Sequence, residues 1–368
     1  MPMNSELKPK IRFKGFTDDW EQRKAKELCS ITTGKSNTQD QVQDGKYPFY
    51  IRSDVPVRSN RYLYDEEAVI TIGDGNIGRV FHYVNGKFDL HQRCYKMADF
   101  KALTAKYFYY YFSTKFYERA MSMTAKATVD SVRLEMISDM EIKFPKDTTE
   151  QTIISELLTN LDNLITLHQR KCDKLVELKK SLLEKMFPQN NSVIPEIRFK
   201  GFTNDWEQRK LKELCNIFDG THQTPNYTDS GIMFLSVENI KDLKSEKYIS
   251  YDDFKNNFRI YPEKNDILMT RIGDIGTTNI VKGSTLKAYY VSLALLKCKN
   301  INPYYLNFAI KSDFVQNGLK LRSLLTAIPM KINKDQIGEV DINYPINLEE
   351  QSNIGKIFDN IDNLITLH

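Results

Sequence analysis

Residues 11–29 read Ile-Arg-Phe-Lys-Gly-Phe-Thr-Asp-Asp-Trp-Glu-Gln-Arg-Lys-Ala-Lys-Glu-Leu-Cys, and residues 197–215 repeat this stretch with only two changes. A second repeat lies downstream in each half, where Asn-(Leu/Ile)-Asp-Asn-Leu-Ile-Thr-Leu-His occupies residues 160–168 and 360–368. The chain is therefore a tandem duplication. We expect each half to fold around a core of its own.

Composition bounds the class of protein. A chain of 368 residues with 41% hydrophobic side chains is long enough for two domains. No apolar run reaches the roughly 18 residues that span a bilayer, and the N-terminus lacks the pattern of a signal peptide, so a cytoplasmic protein without membrane contact is predicted. The net charge of +4 and the pI near 8.5 permit DNA binding without indicating it.

Cysteine and histidine patterns indicate no metal or disulfide chemistry. The five cysteines are far apart and form no Cys-x-x-Cys pair, which argues against a zinc cluster and a disulfide framework. Cys29 and Cys215 are equivalent in the two copies and are expected in the cores. None of the five histidines has metal-ligand spacing.

The two halves diverge between their repeats. These middle regions are rich in Tyr, Phe, Ile and Val, with short strand-like runs and an aromatic segment at residues 107–112 that reads as a helix. Each is predicted to be a mixed α+β domain with a mainly antiparallel sheet. The predicted boundaries are a first domain at 1–149, a spacer helix at 150–187, a linker at 188–195, a second domain at 196–349 and a second spacer helix at 350–368.

The spacer helices carry the pattern of a coiled coil. Apolar side chains recur there in alternating steps of four and three residues. The second helix looks truncated relative to the first. Antiparallel pairing of the helices would give an approximate two-fold axis and leave the first half of the seam open, which implies either a partner helix, from a methyltransferase or another copy, or an incomplete protein. The predicted seam residues are Ile154, Leu158, Leu161, Ile165, His168, Cys172, Leu175, Leu182 and Met186 in the first helix and Ile354, Phe358, Ile361, Ile365 and His368 in the second.

Two similar domains on rigid spacers suit a target with two sites at a fixed separation. Two readers on one side of a DNA duplex sit about one turn, or 34–36 Å, apart. A helix over residues 150–187 would span roughly 57 Å at about 1.5 Å per residue. Constant frames with different middles would then mean constant spacing with two different sequences read.

The ordered pattern resembles the DNA specificity (S) subunit of type I restriction-modification systems. The residues that carry the resemblance are Phe13-Lys14-Gly15-Phe16 through Trp20-Glu21 with its copy, Asp219-Gly220-Thr221-His222-Gln223-Thr224-Pro225, the Gly-Asp-x-Gly turns, and Pro145 or Pro345 followed by Glu-Gln. The resemblance implies two target-recognition domains and no catalysis. It also implies a bipartite site in double-stranded DNA, one half per domain.

The resemblance further implies partners and leaves the cofactors to them. Such subunits assemble with two methyltransferase (M) subunits, which use S-adenosylmethionine, and with restriction (R) subunits, which hydrolyse ATP. S-adenosylmethionine, ATP and Mg are therefore expected in the partners, and no cofactor is expected in this chain.

Candidate base readers are polar or basic side chains in the variable loops, because such groups distinguish base edges whereas phosphate contacts only position the protein. An ordinary solvated surface position is the alternative for each. The candidates are Lys35, Arg58, Asn60, Arg61, Asn76, Arg79, Gln92, Arg93 and Lys126 in the first domain and Thr221, His222, Gln223, Asn226, Arg271, Asn279, Lys282 and Lys331 in the second.

Two rival functions compete with DNA recognition. The first is a non-catalytic coiled-coil adaptor whose domains bind only proteins. The second, a DNA methyltransferase, is suggested by Asn302-Pro303-Tyr304-Tyr305, but the second proline of the catalytic Asn-Pro-Pro-Tyr motif is absent. Asn302 is better explained as a helix cap followed by Pro303 in the first turn.

Overall fold

The computed structural model describes residues 7, 9–124, 131–189, 192–324 and 327–367. The chain forms two compact units, Met1–Thr166 (unit 1) and Leu167–His368 (unit 2). Within the described residues, no helix is both long enough and apolar enough to cross a bilayer.

Unit 1 is built mainly from strands, with one long helix laid on the sheet. Its elements are β1 Glu21–Lys24, α1 Ala25–Leu28, β2 Ser30–Thr33, β3 Tyr47–Tyr50, β4 Val57–Ser59, β5 Tyr64–Ile72, β6 Phe81–Leu90, β7 Cys94–Ala98, α2 Ala105–Thr124, α3 Leu134–Ser138, β8 Glu141–Phe144 and the start of α4 Thr148–Lys185. Six strands form one sheet in the order β2-β7-β5-β6-β3-β4, and β1 pairs with β8. Every pair is antiparallel except β3 with β6.

The core of unit 1 follows from strand β5, which is apolar on both faces. Val69 packs with Phe108, Phe112 and the rest of the aromatic stripe of α2, whereas Ile70 and its even-numbered neighbours pack into a separate cluster with Phe88. This alternation is the two-residue period of a strand buried on both sides. The predicted aromatic helix is confirmed as α2.

Unit 2 repeats this plan with more interruptions. Its elements are β9 Trp206–Lys210, α5 Leu211–Leu214, β10 Cys215–Asp219, β11 Tyr227–Thr228, β12 Ile232–Leu235, β13 Tyr248–Ile249, α6 Tyr251–Asn257, β14 Ile267–Thr270, β15 Thr278–Ile280, β16 Lys287–Tyr289, β17 Leu293–Cys298, α7 Pro303–Ile310, α8 Asp313–Leu321, α9 Lys334–Gly338, β18 Asp341–Pro345 and α10 Leu348–Leu367. The sheets run β10-β17-β14-β15, β11-β13-β12-β16 and β18-β9, and only β12 with β16 is parallel.

The one continuous strand β6 of unit 1 corresponds to two short strands in unit 2. Residues 281–286 separate β15 from β16, and the sheet divides there. The parallel pair is kept in both units, as β3 with β6 and as β12 with β16. The predicted fold, two tandem α+β domains with mainly antiparallel sheets, is confirmed.

The repeated frame is fixed by a buried ion pair at the start of each spacer helix. Arg12 donates two hydrogen bonds to Glu150, of 2.7 and 2.8 Å, and Arg198 donates two to Glu350, of 2.6 and 2.9 Å. The side chains of Glu150 and Glu350 are 0% and 1% exposed. Bidentate pairing satisfies a carboxylate that would otherwise be buried without a partner.

The next residue of each helix, Gln151 or Gln351, is also buried, and both its side-chain nitrogen and its side-chain oxygen are hydrogen-bonded. Gln151 Nε2 donates to the carbonyl oxygen of Pro145, and its Oε1 accepts from the N–H of Thr104. Gln351 makes the same bonds to Pro345 and Asn302. The Pro…Glu-Gln pattern therefore links three parts of each unit through hydrogen bonds: the end of the domain, the start of α2 or α7, and the spacer helix.

Both spacer helices begin earlier than predicted. They start at Thr148 and Leu348 instead of near Glu150 and Glu350. The reason is a side-chain cap, because the Oδ1 atoms of Asp147 and Asn347 accept hydrogen bonds from the N–H groups two residues later.

Within unit 2, the second half of α4 runs antiparallel to α10. Lys179 pairs with Asp362 at 2.5 Å, and Phe187 packs on Phe358. The partner's number falls as the number in α4 rises, which fixes the direction. Met186 and Phe187 are buried in the core of unit 2 together with Ile354 and Phe358.

The buried arginine–glutamate pair predicts a large effect of a single substitution. Arg198→Met should lower the free energy of unfolding by about 3–5 kcal/mol, because it leaves the carboxylate of Glu350 buried and unpaired. Denaturant unfolding of the full chain measures this.

Two variants serve as controls. Lys212→Met removes the exposed Lys212–Glu339 pair and should cost far less, because solvent screens an exposed ion pair. The double variant Arg198→Met/Glu350→Gln should recover part of the loss. Equal losses for Arg198→Met and Lys212→Met would show that the buried pair does not stabilise the frame.

Candidate nucleic-acid interface

A glycine lets a polar loop lie against the end of a neighbouring strand in each unit. A Cβ at Gly34 would lie well under 3.0 Å from the carbonyl oxygen of Leu90, and one at Gly220 would meet the backbone of Tyr290 equally closely. The loops are then held by bridges of Ser36 to His91 and of Thr221 to Tyr290. We call residues 35–40 and 221–226 the crossing loops.

In unit 1 a buried carboxylate anchors the crossing loop. Asp89 is fully buried and accepts hydrogen bonds from Ser36 Oγ at 2.5 Å and from Arg61 Nε at 3.3 Å. Arg61 also reaches Asp40 at 2.6 Å, within the same loop. This network holds Arg61 in one orientation while leaving half of its side chain exposed.

A second carboxylate, that of Asp74, forms ion pairs with two arginines at the β5–β6 turn. Arg93 Nη1 lies 2.7 Å from Asp74 Oδ2, and Arg52 Nη1 lies 3.1 Å from Asp74 Oδ1. Burial opposes ionisation of Asp74, but hydrogen bonds from Arg93 and Arg52 lower the pKa of this carboxyl below its usual value. The two exposed guanidinium groups are therefore held side by side at the turn, in reach of a phosphate or a base edge.

Four further unit 1 candidates lie on the surface. Lys35, Asn60, Asn76 and Gln92 are exposed, and Gln92 Nε2 donates to Asn37 of the crossing loop at 2.6 Å. Lys126 lies outside the described residues.

Two arginines predicted as base readers in unit 1 make contacts with other residues of unit 1. Arg79 stacks on Tyr117 and donates to its hydroxyl. Arg58 donates to the carbonyl oxygens of Gly45 and Lys46.

The exposed candidates of unit 2 include those of the crossing loop, Lys331 and Lys282. His222, Gln223 and Asn226 are exposed, and Thr221 Oγ1 accepts from the N–H of Gln223. Lys331 is exposed and its backbone bridges both Ile272 and Leu324, next to the Gly273 turn.

Three unit 2 candidates are bonded to groups of their own unit. Arg271 is only 9% exposed, pairs with Asp219 and donates to the carbonyl oxygen of Ile332. Asn279 donates to the carbonyl oxygens of Ile240 and Lys241, and Lys282 pairs with Asp359 of α10 at 2.8 Å. Arg271 and Asn279 therefore bond to the backbone of unit 2, and their role as base readers stays a prediction.

Sequence reasoning missed the side chains that position the readers. Arg52, Asp74 and Asp89 were not among the predicted site residues, although all three are charged and lie within two positions of the end of a strand. Asp89 has no sequence signal of its own, because its partners Ser36 and Arg61 lie 53 and 28 residues away.

A family model described as "Type I restriction modification DNA specificity domain" matches residues 17–177 and again residues 203–368. The two matches cover most of the chain. The chain belongs to this family of specificity proteins. Specificity subunits are the non-catalytic DNA-recognition components of type I restriction-modification systems, and the predicted membership is confirmed.

Relatives and solved structures agree with this assignment. The chain is 23% identical over 380 residues to the type I restriction enzyme MjaVIII specificity subunit of Methanocaldococcus jannaschii, covering 95% of this chain and 88% of that protein. The crystal structure of the type I S subunit from M. genitalium has the same fold, with a TM-score of 0.70, 15% identity, and coverage of 98% and 93% of the two chains. A chain from a study of complex assembly in a type I system aligns with a TM-score of 0.50 and 15% identity.

The motif that suggested a methyltransferase, Asn302-Pro303-Tyr304-Tyr305, forms the start of a helix. The Asn302 side chain accepts hydrogen bonds from the N–H groups of Tyr304 and Tyr305, and Pro303 occupies the first turn of α7. Asn302 is thus the predicted helix cap. Cys29 and Cys215 are buried, as predicted.

The structure divides the predicted helix seam into covered and exposed parts. In unit 2, Met186, Ile354, Phe358 and Ile361 are buried, and Cys172, Leu175, Leu182 and Ile365 are half-buried. In unit 1, Ile154 and Leu158 are half-buried, but Leu161 and Ile165 are 45% and 66% exposed. His168 is exposed, and His368 lies outside the described residues.

The glycine under the crossing loop provides a test of this interface. Gly220→Ala should destabilise the chain by about 1–3 kcal/mol, the usual cost of overpacking, and should weaken DNA binding more than stability alone explains, because the loop must move off Tyr290. Thermal unfolding and DNA titration at a temperature where the variant is folded measure the two effects.

Gly283→Ala is the matched control, since a Cβ there meets nothing within 4 Å. It should leave both stability and DNA affinity near those of the parent. Unchanged DNA affinity in folded Gly220→Ala would mean that the crossing loop of unit 2 does not contact DNA.

Proposed function

We propose that the chain recognises a bipartite DNA target, one half-site per unit, and directs methyltransferase and restriction subunits to it. One observation carries the proposal. The same buried contacts of Arg12 or Arg198 and Gln151 or Gln351 frame both units, whereas the loops on that frame carry different side chains.

The contrast between the crossing loops supports two different half-sites. Unit 1 presents Lys35 with the Arg52–Asp74–Arg93 cluster beside it, and unit 2 presents His222 and Gln223. Arginine and lysine favour guanine, and glutamine favours adenine, in the major groove. Different side chains on one framework would read different bases from the same position.

Helix α4 supports a fixed separation between half-sites. Its 38 residues run without a break from unit 1 into unit 2, and such a helix is about 57 Å long at 1.5 Å per residue. We infer that its length helps to set the number of base pairs between the two half-sites.

Mapping adenine methylation in cells that carry the complete system would give the modified motif. Duplexes with that motif, with either half-site scrambled, or with both scrambled are then titrated against the chain together with its methyltransferase. Scrambling either half should weaken binding by about 1–3 kcal/mol per altered base pair, and the logarithm of affinity should fall linearly with that of salt concentration.

Single substitutions assign each half-site to a unit. Arg93→Gln should weaken discrimination in one half-site only, and Lys331→Gln should affect only the other. Loss of discrimination in both halves from either variant would contradict one half-site per unit. Absence of DNA binding even with the methyltransferase present would favour the protein-only adaptor.

An apolar strip on α4 fits a protein partner. Leu157, Leu161, Leu164 and Ile165 are 48%, 45%, 51% and 66% exposed and lie on neighbouring turns of one helix. Adjacent apolar side chains on an exposed helix face are typical of an interaction site. Since the family acts with methyltransferase subunits, we propose that a methyltransferase helix covers this strip.

Leu161→Glu/Ile165→Glu should therefore reduce copurification of the methyltransferase, because it places two carboxylates in an apolar contact. Val55→Glu, which changes an exposed valine elsewhere in unit 1, is the control and should have no effect. Normal copurification of the double variant would exclude this strip as the docking site. Loss of self-association instead would identify a second copy of the chain as its occupant.

A further inference from the structure

A cavity of about 630 Å³ in unit 2 lies apart from the crossing loop. It is lined by residues from the end of β15, the segment before β16, the helices α7 and α10, and the loop at residues 241–244. Five lysines reach it, and none is part of the crossing loop: Lys241, Lys244, Lys282, Lys287 and Lys311. Its volume lies in the range of small-molecule sites.

The lining has three carboxylates, Asp242, Asp359 and Asp362, for its five lysines, so part of the positive charge is not neutralised. Asp359 is hydrogen-bonded to Lys282 at 2.8 Å, and Asp362 is paired with Lys179 at 2.5 Å. Among the described residues, neither Lys287 nor Lys311 has a carboxylate within ion-pair distance. Lys287 is only 9% exposed and bonds to the carbonyl oxygen of Thr285.

Buried amines without an anion are unfavourable. Burial, followed by repulsion from Lys179 and Lys282, lowers the pKa of Lys311 to about 8 against the attraction of Asp362 and Asp359, and burial also lowers the pKa of Lys287. A bound anion would relieve this penalty at both positions, since it would supply the missing counter-charge.

A third polar group in the lining is also unsatisfied. Asn307 on α7 is 4% exposed, and its Oδ1 is buried without a hydrogen-bond partner. A buried amide oxygen of this kind calls for a hydrogen-bond donor, and the N–H groups of a nucleobase or the hydroxyls of a ribose would supply one. Met233 and Ile365 add half-buried apolar surface to the same cavity.

We propose that this cavity binds a free nucleoside phosphate, with the phosphate on Lys287 and Lys311 and the nucleoside against Asn307, Met233 and Ile365. Such a ligand has three properties that complement the lining. Its negative charge complements the lysines, its hydrogen-bond donors complement Asn307, and its apolar face complements Met233 and Ile365. The cavity lies apart from the crossing loop of unit 2, although two predicted base readers, Asn279 and Lys282, belong to its lining. A nucleotide bound there would contact α10 and the domain at once, and would stabilise their packing.

The test uses the full chain without DNA, titrated calorimetrically with ATP, AMP, adenosine and inorganic phosphate. The nucleotides should bind saturably, and adenosine and phosphate should each bind more weakly. Lys311→Met and Lys287→Met should lower nucleotide affinity by at least about tenfold, the scale of one charge-assisted hydrogen bond. Lys255→Met, on the exposed surface of α6, is the control and should bind as the parent does.

Two further readouts separate a ligand site from a structural effect. Asn307→Leu should weaken AMP binding but leave phosphate binding unchanged. Affinity should also fall as the pH rises through about 8, because Lys311 then loses its charge; the charged groups that act on Lys311 are Lys179, Lys282, Asp359 and Asp362. If Lys311→Met does not fold, photolabelling of the parent with an azido-adenine nucleotide should mark residues 279–287 or 303–311.

Several outcomes would overturn the proposal. These are absence of saturable binding by the parent, unchanged affinity in folded Lys311→Met, and photolabelling elsewhere. If inorganic phosphate bound as tightly as AMP, the cavity would be a site for anions that does not recognise the nucleoside. Displacement of AMP by random duplex, with weaker DNA binding in Lys311→Met, would show that the cavity contacts DNA phosphates instead.

Discussion

The bidentate contact of a buried glutamate with an arginine from the first repeat is the constraint on which each unit depends. It joins positions 138 residues apart in unit 1 and 152 apart in unit 2, so it closes each domain on the helix that carries it. A carboxylate buried this deeply is tolerated only while both of its oxygens are bonded. Arg12, Arg198 and their glutamates are therefore kept together, whatever lies between them in sequence.

Because closure depends on the frame, the intervening segments are free to differ. In unit 1, β6 is a single strand of ten residues. In unit 2, the equivalent segment is divided into β15 and β16, and β13 and α6 are added. The parallel pair and the glycine below each crossing loop are retained through these differences. The loops thus change their side chains without changing their place on the sheet, as recognition of different bases requires.

The sequence was sufficient for the domain plan and insufficient for the interface. Repeats, heptad spacing and aromatic runs depend on local periodicity, so α2, α4, α7 and α10 could be predicted from them. The charge of Arg271 is visible in the sequence, but its partners Asp219 and Ile332 are not, because they lie 52 and 61 residues away. Arg52 and Asp74 were missed for the same reason, since only the folded sheet brings them together with Arg93.

The two nearly identical frames also create a hazard during folding. Arg12 and Arg198 lie in almost the same local sequence, and so do Glu150 and Glu350, so each arginine carries the chemistry to pair with the wrong glutamate. Order of synthesis favours the native pairing, because Arg12 and Glu150 have both left the ribosome before Glu350 is made. Refolding from denaturant removes that order, and exchanged pairing between halves or between chains then competes with the native fold.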